Sequence, residues 1–182
     1  MPRIYLVRHG KAAAGWDGHP DPGLDPLGQT QSRIAADFLA PLGPLAIRSS
    51  PLARARETAA FLAEIWNVEP LIEPRVAEIP SPSEDLAQRS AWLKTAMAGT
   101  WADLEPRYRQ WRDTVIECLR GIEDDTVIFS HFIAINVAVG HVEGDDRIVC
   151  FRPDNASITQ LTLTDGQLAL AELGSEANTE VR

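Results

Sequence analysis

Apolar residues along the chain fall into short runs and helical stripes, separated by polar segments rich in Pro and Gly. Ile4-Tyr5-Leu6-Val7 is a compact, partly β-branched run, which predicts a strand buried on both faces. Residues 9–27 hold four Gly, three Pro and three Asp and predict a long loop. Ile34, Ala35, Phe38, Leu39 and Leu42 share one helical stripe, predicting a helix over Gly28–Leu42. Leu45–Arg48 reads as a second strand. Ser49-Ser50-Pro51 then supplies an N-cap and a first-turn proline for a helix reaching Trp66. Val68–Ile72 reads as a third strand, followed by a proline-rich loop over 74–83.

Two helical segments, 84–98 and 103–121, carry Trp92, Trp101, Tyr108 and Trp111. Thr126–Phe129 is the clearest strand and runs into an apolar helical segment over 132–142. Ile148–Phe151, Ser157–Leu163 and Gln167–Ala171 complete the expected strands, the last two joined by the hairpin dipeptide Asp165-Gly166. The alternation of strand and helix predicts an α/β fold, a three-layer α/β/α sandwich. Its central sheet is mostly parallel with helices on both faces. Residues 1–173 are expected to form a single domain. Within it, about 74–122 is a candidate helical cap insertion whose tryptophans form its core. Residues 174–182 are a polar tail expected to fray.

At 45% hydrophobic and 24% charged residues, the composition is that of an ordinary globular chain. The formal charge of −9 is unevenly spread. Residues 1–58 hold seven basic and five acidic side chains, and the remainder holds ten and 21. Such an acidic chain is not expected to bind nucleic acid or anionic membrane surfaces, which need a basic face. No run approaches the ~18 apolar residues of a membrane span. Arg8 ends the first apolar run too early for a signal peptide. Cys118 and Cys150 lack a CxxC spacing and read as buried thiols, so the expected location is cytoplasmic.

Chemistry gathers at three predicted strand ends. The first ends in Arg8-His9-Gly10, the second in Arg48-Ser49-Ser50 with Arg54 just beyond, and the fourth in Ser130-His131. Ligands of open α/β sheets bind beyond the carboxyl ends of the strands. Two imidazoles and two or three guanidiniums around one point repel one another unless an anion lies among them. Helix N-termini near residues 50 and 131 are expected to add backbone donors. The pocket therefore calls for a phosphate or a similar oxyanion.

Leu6-Val7-Arg8-His9-Gly10, the segment Ser49-Ser50-Pro51-Leu52-Ala53-Arg54-Ala55-Arg56-Glu57-Thr58-Ala59 and Ser130-His131 together resemble the histidine phosphatase superfamily, which includes the cofactor-dependent phosphoglycerate mutases. Leu24-Asp25-Pro26-Leu27-Gly28-Gln29-Thr30-Gln31 is similar to the family's helix entry, with Asp25 where Thr is usual. The resemblance implies that His9 is the phosphoryl-accepting nucleophile and that Arg8 and Arg54 clamp the phosphoryl oxygens. It implies that His131 holds charge on the transferring group and that Glu78 is the acid/base carboxylate. The implied activity is a phosphatase hydrolysing a small phosphorylated metabolite through a phosphohistidine on His9. No metal or other cofactor is expected, because side chains supply the cations. Alternatives on the same fold are a phosphoglycerate mutase-type transfer, a protein phosphohistidine phosphatase, and a non-catalytic phosphate-binding protein. The sequence leaves the oligomeric state open.

Two departures bear on the substrate. Phe132 stands where the family usually has Gly, and its ring is expected to line or narrow the pocket. Lys11 follows the RHG triplet and is expected at the rim. His19 and His141 lack metal-ligand spacing and read as surface residues. Asp17, Asp21 and Asp25 lack a calcium-loop spacing. Arg56 reads as a solvated or ion-paired helix residue and Arg48 as structural.

Overall fold

A computed structural model describes residues 1–177. Six strands form one sheet: β1 (Arg3–Arg8), β2 (Ala46–Ser49), β3 (Leu71–Ile72), β4 (Thr126–Ser130), β5 (Ile158–Thr164) and β6 (Gln167–Glu172). Their order is β3-β2-β4-β1-β5-β6. The first four run parallel, and β5 and β6 add an antiparallel hairpin at one edge. β4 is buried at every residue and β1 at all but Arg3, as central strands covered on both faces must be. β5 alternates between buried and half-buried positions up to the exposed Thr164. Asp165 and Gly166 both take positive φ, the backbone that a two-residue hairpin turn requires.

Five helices cover the sheet: α1 (Pro26–Leu39), α2 (Ala53–Trp66), α3 (Leu86–Met97), α4 (Pro106–Arg120) and α5 (Phe132–Glu143). On one face, Ala36 and Leu39 of α1 and Ala59, Leu62 and Trp66 of α2 pack on Tyr5, Val7, Ile47, Val127 and Phe129. On the other, Cys118 and Leu119 of α4 and Ile135 and Ala138 of α5 pack on Ile4, Leu6 and Ile128. A third cluster joins Leu93 of α3 to Trp101, Tyr108, Phe132 and Ile133. Trp92 of α3 packs 4.8 Å from Tyr108 of α4. Trp101, in a 3₁₀ turn between the two helices, lies 6.1 Å from Trp111, so these aromatics fasten α3 and its connection to α4.

Several expected boundaries move, each for a local reason. Asp25 caps α1 by accepting the Gly28 amide, so the helix begins at Pro26, and its end tightens into a 3₁₀ turn at Ala40–Leu42. Helix α2 starts at Ala53 with Leu52 at its N-cap. The predicted third strand shrinks to Leu71–Ile72, a short edge with both side chains exposed. The strand expected at Ile148–Phe151 does not form. The amides of Cys150 and Phe151 instead donate to Asn136 Oδ1 of α5, at 2.9 and 3.1 Å, which takes the place of a strand partner. Residues 174–177, expected to fray, are tied down. The Ala177 amide donates to Arg152 O and the Gly174 amide to Thr159 Oγ1. The rest of that tail, 178–182, lies outside the described residues.

Candidate active site

The sheet order β2-β4-β1 sets three parallel strand ends side by side, and the residues that follow them share one cavity. That cavity, about 820 Å³, is lined by Arg8, His9, Arg54 and Glu78, with Phe132 and Arg89 among the other walls. His9 continues β1, and its amide donates to Ser130 O of β4 at 3.1 Å. The ring is fixed at both nitrogens. Nδ1 lies 2.7 Å from the Gly10 carbonyl, which can only accept, so Nδ1 carries the proton. Nε2 therefore presents a bare lone pair, which accepts from Arg54 Nε at 3.2 Å. Burial, reinforced by Arg54 and Arg8, holds His9 well below the usual histidine value, so the ring is neutral at pH 7.

The remaining groups close around that nitrogen. Arg8 is buried and donates from Nη1 to the Pro153 carbonyl at 2.8 Å, while its Nε has no partner among the described residues. Burial pushes its guanidinium down to about 10, still charged at neutral pH. Its Cζ lies 5.2 Å from the centre of the Phe132 ring, so that aromatic does line the pocket. His131 lies wholly inside the protein with its ring 5.2 Å from that of His9. Its Nε2 meets Ser50 Oγ at 2.8 Å, and its Nδ1 is unpartnered. Burial first, then Arg54, His9 and Arg8, keep its pKa well below the usual value.

Glu78 follows the 3₁₀ turn Pro74–Val76 and reaches the N-terminus of α5. Its carboxylate accepts the amides of Ile79, Ile133 and Ala134 at 3.0, 3.2 and 3.3 Å. Those bonds and the nearby Arg54 and Arg8 favour the charged form. Burial outweighs them and raises the pKa above the carboxylate range. This geometry corrects one expectation. The α5 amides of Ile133 and Ala134 are taken by Glu78, and the Ala53 amide of α2 by Asp21 at 2.9 Å, so these helix ends do not stand open to an anion.

Outside this group, Lys11 lies at the rim in an ion pair with Asp25 at 3.3 Å. Arg48 is structural, paired with Glu73 at 3.6 Å, and Arg56 is exposed on α2. His141 is exposed beside Arg120, whereas His19, though exposed, lines the mouth of the cavity together with Trp16. Among the described residues, no three His, Cys, Asp or Glu side chains converge as a metal site. Sequence reasoning missed Arg89 and Asn155. Asn155 Nδ2 donates to the His9 carbonyl at 3.2 Å, across 146 residues of chain. Neither residue carries a local signal, because only the tertiary fold brings it to the cavity.

Fold and site together give an α/β protein with two histidines and two arginines gathered at the ends of parallel strands. The family model of the histidine phosphatase superfamily (branch 1) matches residues 4–176, and the chain belongs to that family. It is 26% identical over 163 residues to "Probable phosphoglycerate mutase GpmB" of Photorhabdus laumondii, covering 79% of this chain and 76% of that one. Among solved structures, a phosphoserine phosphatase from Entamoeba histolytica in complex with 3-phosphoglyceric acid superposes with a TM-score of 0.77. That match has 22% identity and covers 96% of this chain and 98% of the other. A mycobacterial glucosyl-3-phosphoglycerate phosphatase complexed with VO3 gives 0.75 at 22% identity, over 97% and 100% of the two chains. At such identities the structural likeness establishes the fold.

Proposed function

We propose that the protein hydrolyses a small phosphomonoester in two displacements, with the phosphoryl group resting on His9 in between. The observation that carries this reading is the state of His9. Its Nδ1 proton is held by the Gly10 carbonyl, and its Nε2 lone pair faces the cavity beside Arg54. In the first step Nε2 attacks phosphorus in line, and the bond from phosphorus to the alcohol oxygen breaks. Arg54 exchanges its bond to Nε2 for the phosphoryl oxygens, and Arg8 meets them with its unpartnered Nε. A proton on His131 Nδ1, with Nε2 accepting from Ser50, gives a third donor. Glu78, whose protonated form burial favours, gives a proton to the departing oxygen.

In the second step the Glu78 carboxylate takes a proton from water as that water attacks phosphorus. The N–P bond breaks, its electron pair returns to Nε2, and phosphate leaves. Two guanidiniums and His131 balance the transition-state charge, a role that divalent cations fill in other phosphoryl-transfer sites. Purified protein is therefore expected to hydrolyse p-nitrophenyl phosphate in the presence of EDTA. His9→Ala abolishes that activity, and Glu78→Gln lowers kcat by about 10²- to 10⁴-fold. Activity that is lost in EDTA and restored by a divalent ion contradicts the mechanism.

The relatives named as phosphoglycerate mutases favour a second reading, in which the phosphohistidine returns its group to an alcohol rather than to water. Interconversion of 2- and 3-phosphoglycerate faster than phosphate release would establish it.

A further inference from the structure

The most buried strand closes on a polar residue. After Val127, Ile128 and Phe129, β4 ends in Ser130, which is 2% exposed. A hydroxyl taken out of water costs stability unless it finds a partner. Here the partner is the Val76 carbonyl, which accepts from Ser130 Oγ at 2.7 Å. The bond spans 54 positions of sequence. It runs from the strand end just before His131 to the turn just before Glu78.

Little else directs the chain at that point. Val76 and Ile79, on either side of Glu78, are buried in two different apolar clusters. Apolar packing keeps them inside but has no direction of its own. Among the described residues, the backbone of Ala77, Glu78 and Ile79 makes no hydrogen bond to another element. The carboxylate is received by the Ile133 and Ala134 amides at 3.2 and 3.3 Å. Both bonds exceed the usual length of about 2.9–3.0 Å, so a small shift of the loop would break them. The Ser130 carbonyl meanwhile accepts the His9 amide at 3.1 Å. One residue thus ties the strand of the nucleophile to the loop of the acid.

We propose that Ser130 is a positioning residue for Glu78. Its bond to Val76 sets where the Glu78 carboxyl stands relative to the oxygen that departs when His9 attacks. This rests on the phosphatase reading above, in which Glu78 protonates that oxygen, and it assigns the residue that aims the acid.

A matched pair of substrates reads the aim. p-Nitrophenolate leaves without a proton, whereas the alkoxide of benzyl phosphate needs one, so only the second demands a well-placed acid. The quantity compared is kcat/KM, which reports the step that forms phosphohistidine, before Glu78 is needed as a base. Ser130→Ala removes the hydroxyl. Ser130→Cys keeps the volume with only a weak donor, so the test does not hang on one variant's folding. Ser130→Ala is expected to raise the ratio of p-nitrophenyl phosphate to benzyl phosphate by about 10- to 100-fold, the cost of an ångström-scale misplacement. Ser130→Cys raises it less, and Glu78→Gln, the reference, raises it further. The ratio is internal to each enzyme, so a general loss of stability or of active protein does not mimic the effect. An unchanged ratio in both Ser130 variants, beside a raised one in Glu78→Gln, overturns the proposal. An unchanged ratio in Glu78→Gln would instead overturn the acid role of Glu78 in the phosphatase reading.

Discussion

At the scale of single residues, burial decides the protonation states on which the site depends. His9 and His131 are both held toward the neutral form by removal from water, and the same burial raises the pKa of Glu78. The consequences for stability have opposite signs. The unfolded chain takes up protons on both histidines as pH falls through about 6.5, and the folded chain does not, so stability falls on acidification. Glu78 contributes in the other sense. Its proton favours the folded state most at pH below the ordinary carboxylate value, and that contribution fades as pH rises through its folded pKa. The two contributions oppose each other, and substitution isolates the histidine part. The change in urea midpoint from pH 7.5 to 5.5 is expected to be less favourable in wild type than in His131→Gln. An equal change in that variant would show that His131 is not held neutral. These residues were legible in the sequence because motif neighbours mark them. Asn155 and Arg89 were not, since each reaches the site only through long-range packing.

Among the elements, the segment after α5 shows how a side chain can stand in for a strand. Apolar Ile148–Phe151 carries the pattern of a buried strand, yet Asn136 Oδ1 takes the amides of Cys150 and Phe151. Its Nδ2 is anchored in turn on the Phe132 carbonyl at 2.9 Å. Hydrophobic pattern reports burial, and it does not report whether a ladder or a side chain satisfies the backbone. The same segment leads to Pro153, whose carbonyl holds Arg8. Asn136→Ala leaves those buried donors without a partner and is expected to cost about 2 kcal/mol or more. It should also raise KM for p-nitrophenyl phosphate as Arg8 loses its support. Urea unfolding and steady-state kinetics on the one variant check both effects. Unchanged stability would mean that segment 148–153 is held by packing alone. The shift of the α2 start has a related cause. Ser50, in the expected N-cap segment, meets His131 Nε2 and accepts the Leu52 amide at 3.1 Å, ahead of a helix that starts only at Ala53.

Across the whole molecule, the alternation of strands and helices foretold the layers, and the strand order explains the site. With β4 between β1 and β2, Arg8, His9, Arg54 and His131 meet although they are spread over 124 positions of sequence. The antiparallel β5–β6 hairpin adds an edge that strand counting alone does not orient. The basic N-terminal third also finds its place, because Arg8, Lys11 and Arg54 all line the cavity of an otherwise acidic chain. Net charge describes long-range fields, whereas an anion is held by a local cluster. The central claim is that His9 carries the phosphoryl group, and direct trapping tests it. The enzyme is mixed with labelled phosphomonoester, stopped within one turnover under alkaline conditions that preserve phosphohistidine, and mapped by mass spectrometry. The label is expected on the peptide containing His9, at Nε2, and absent from His9→Ala. Turnover with no label on His9 would contradict the account.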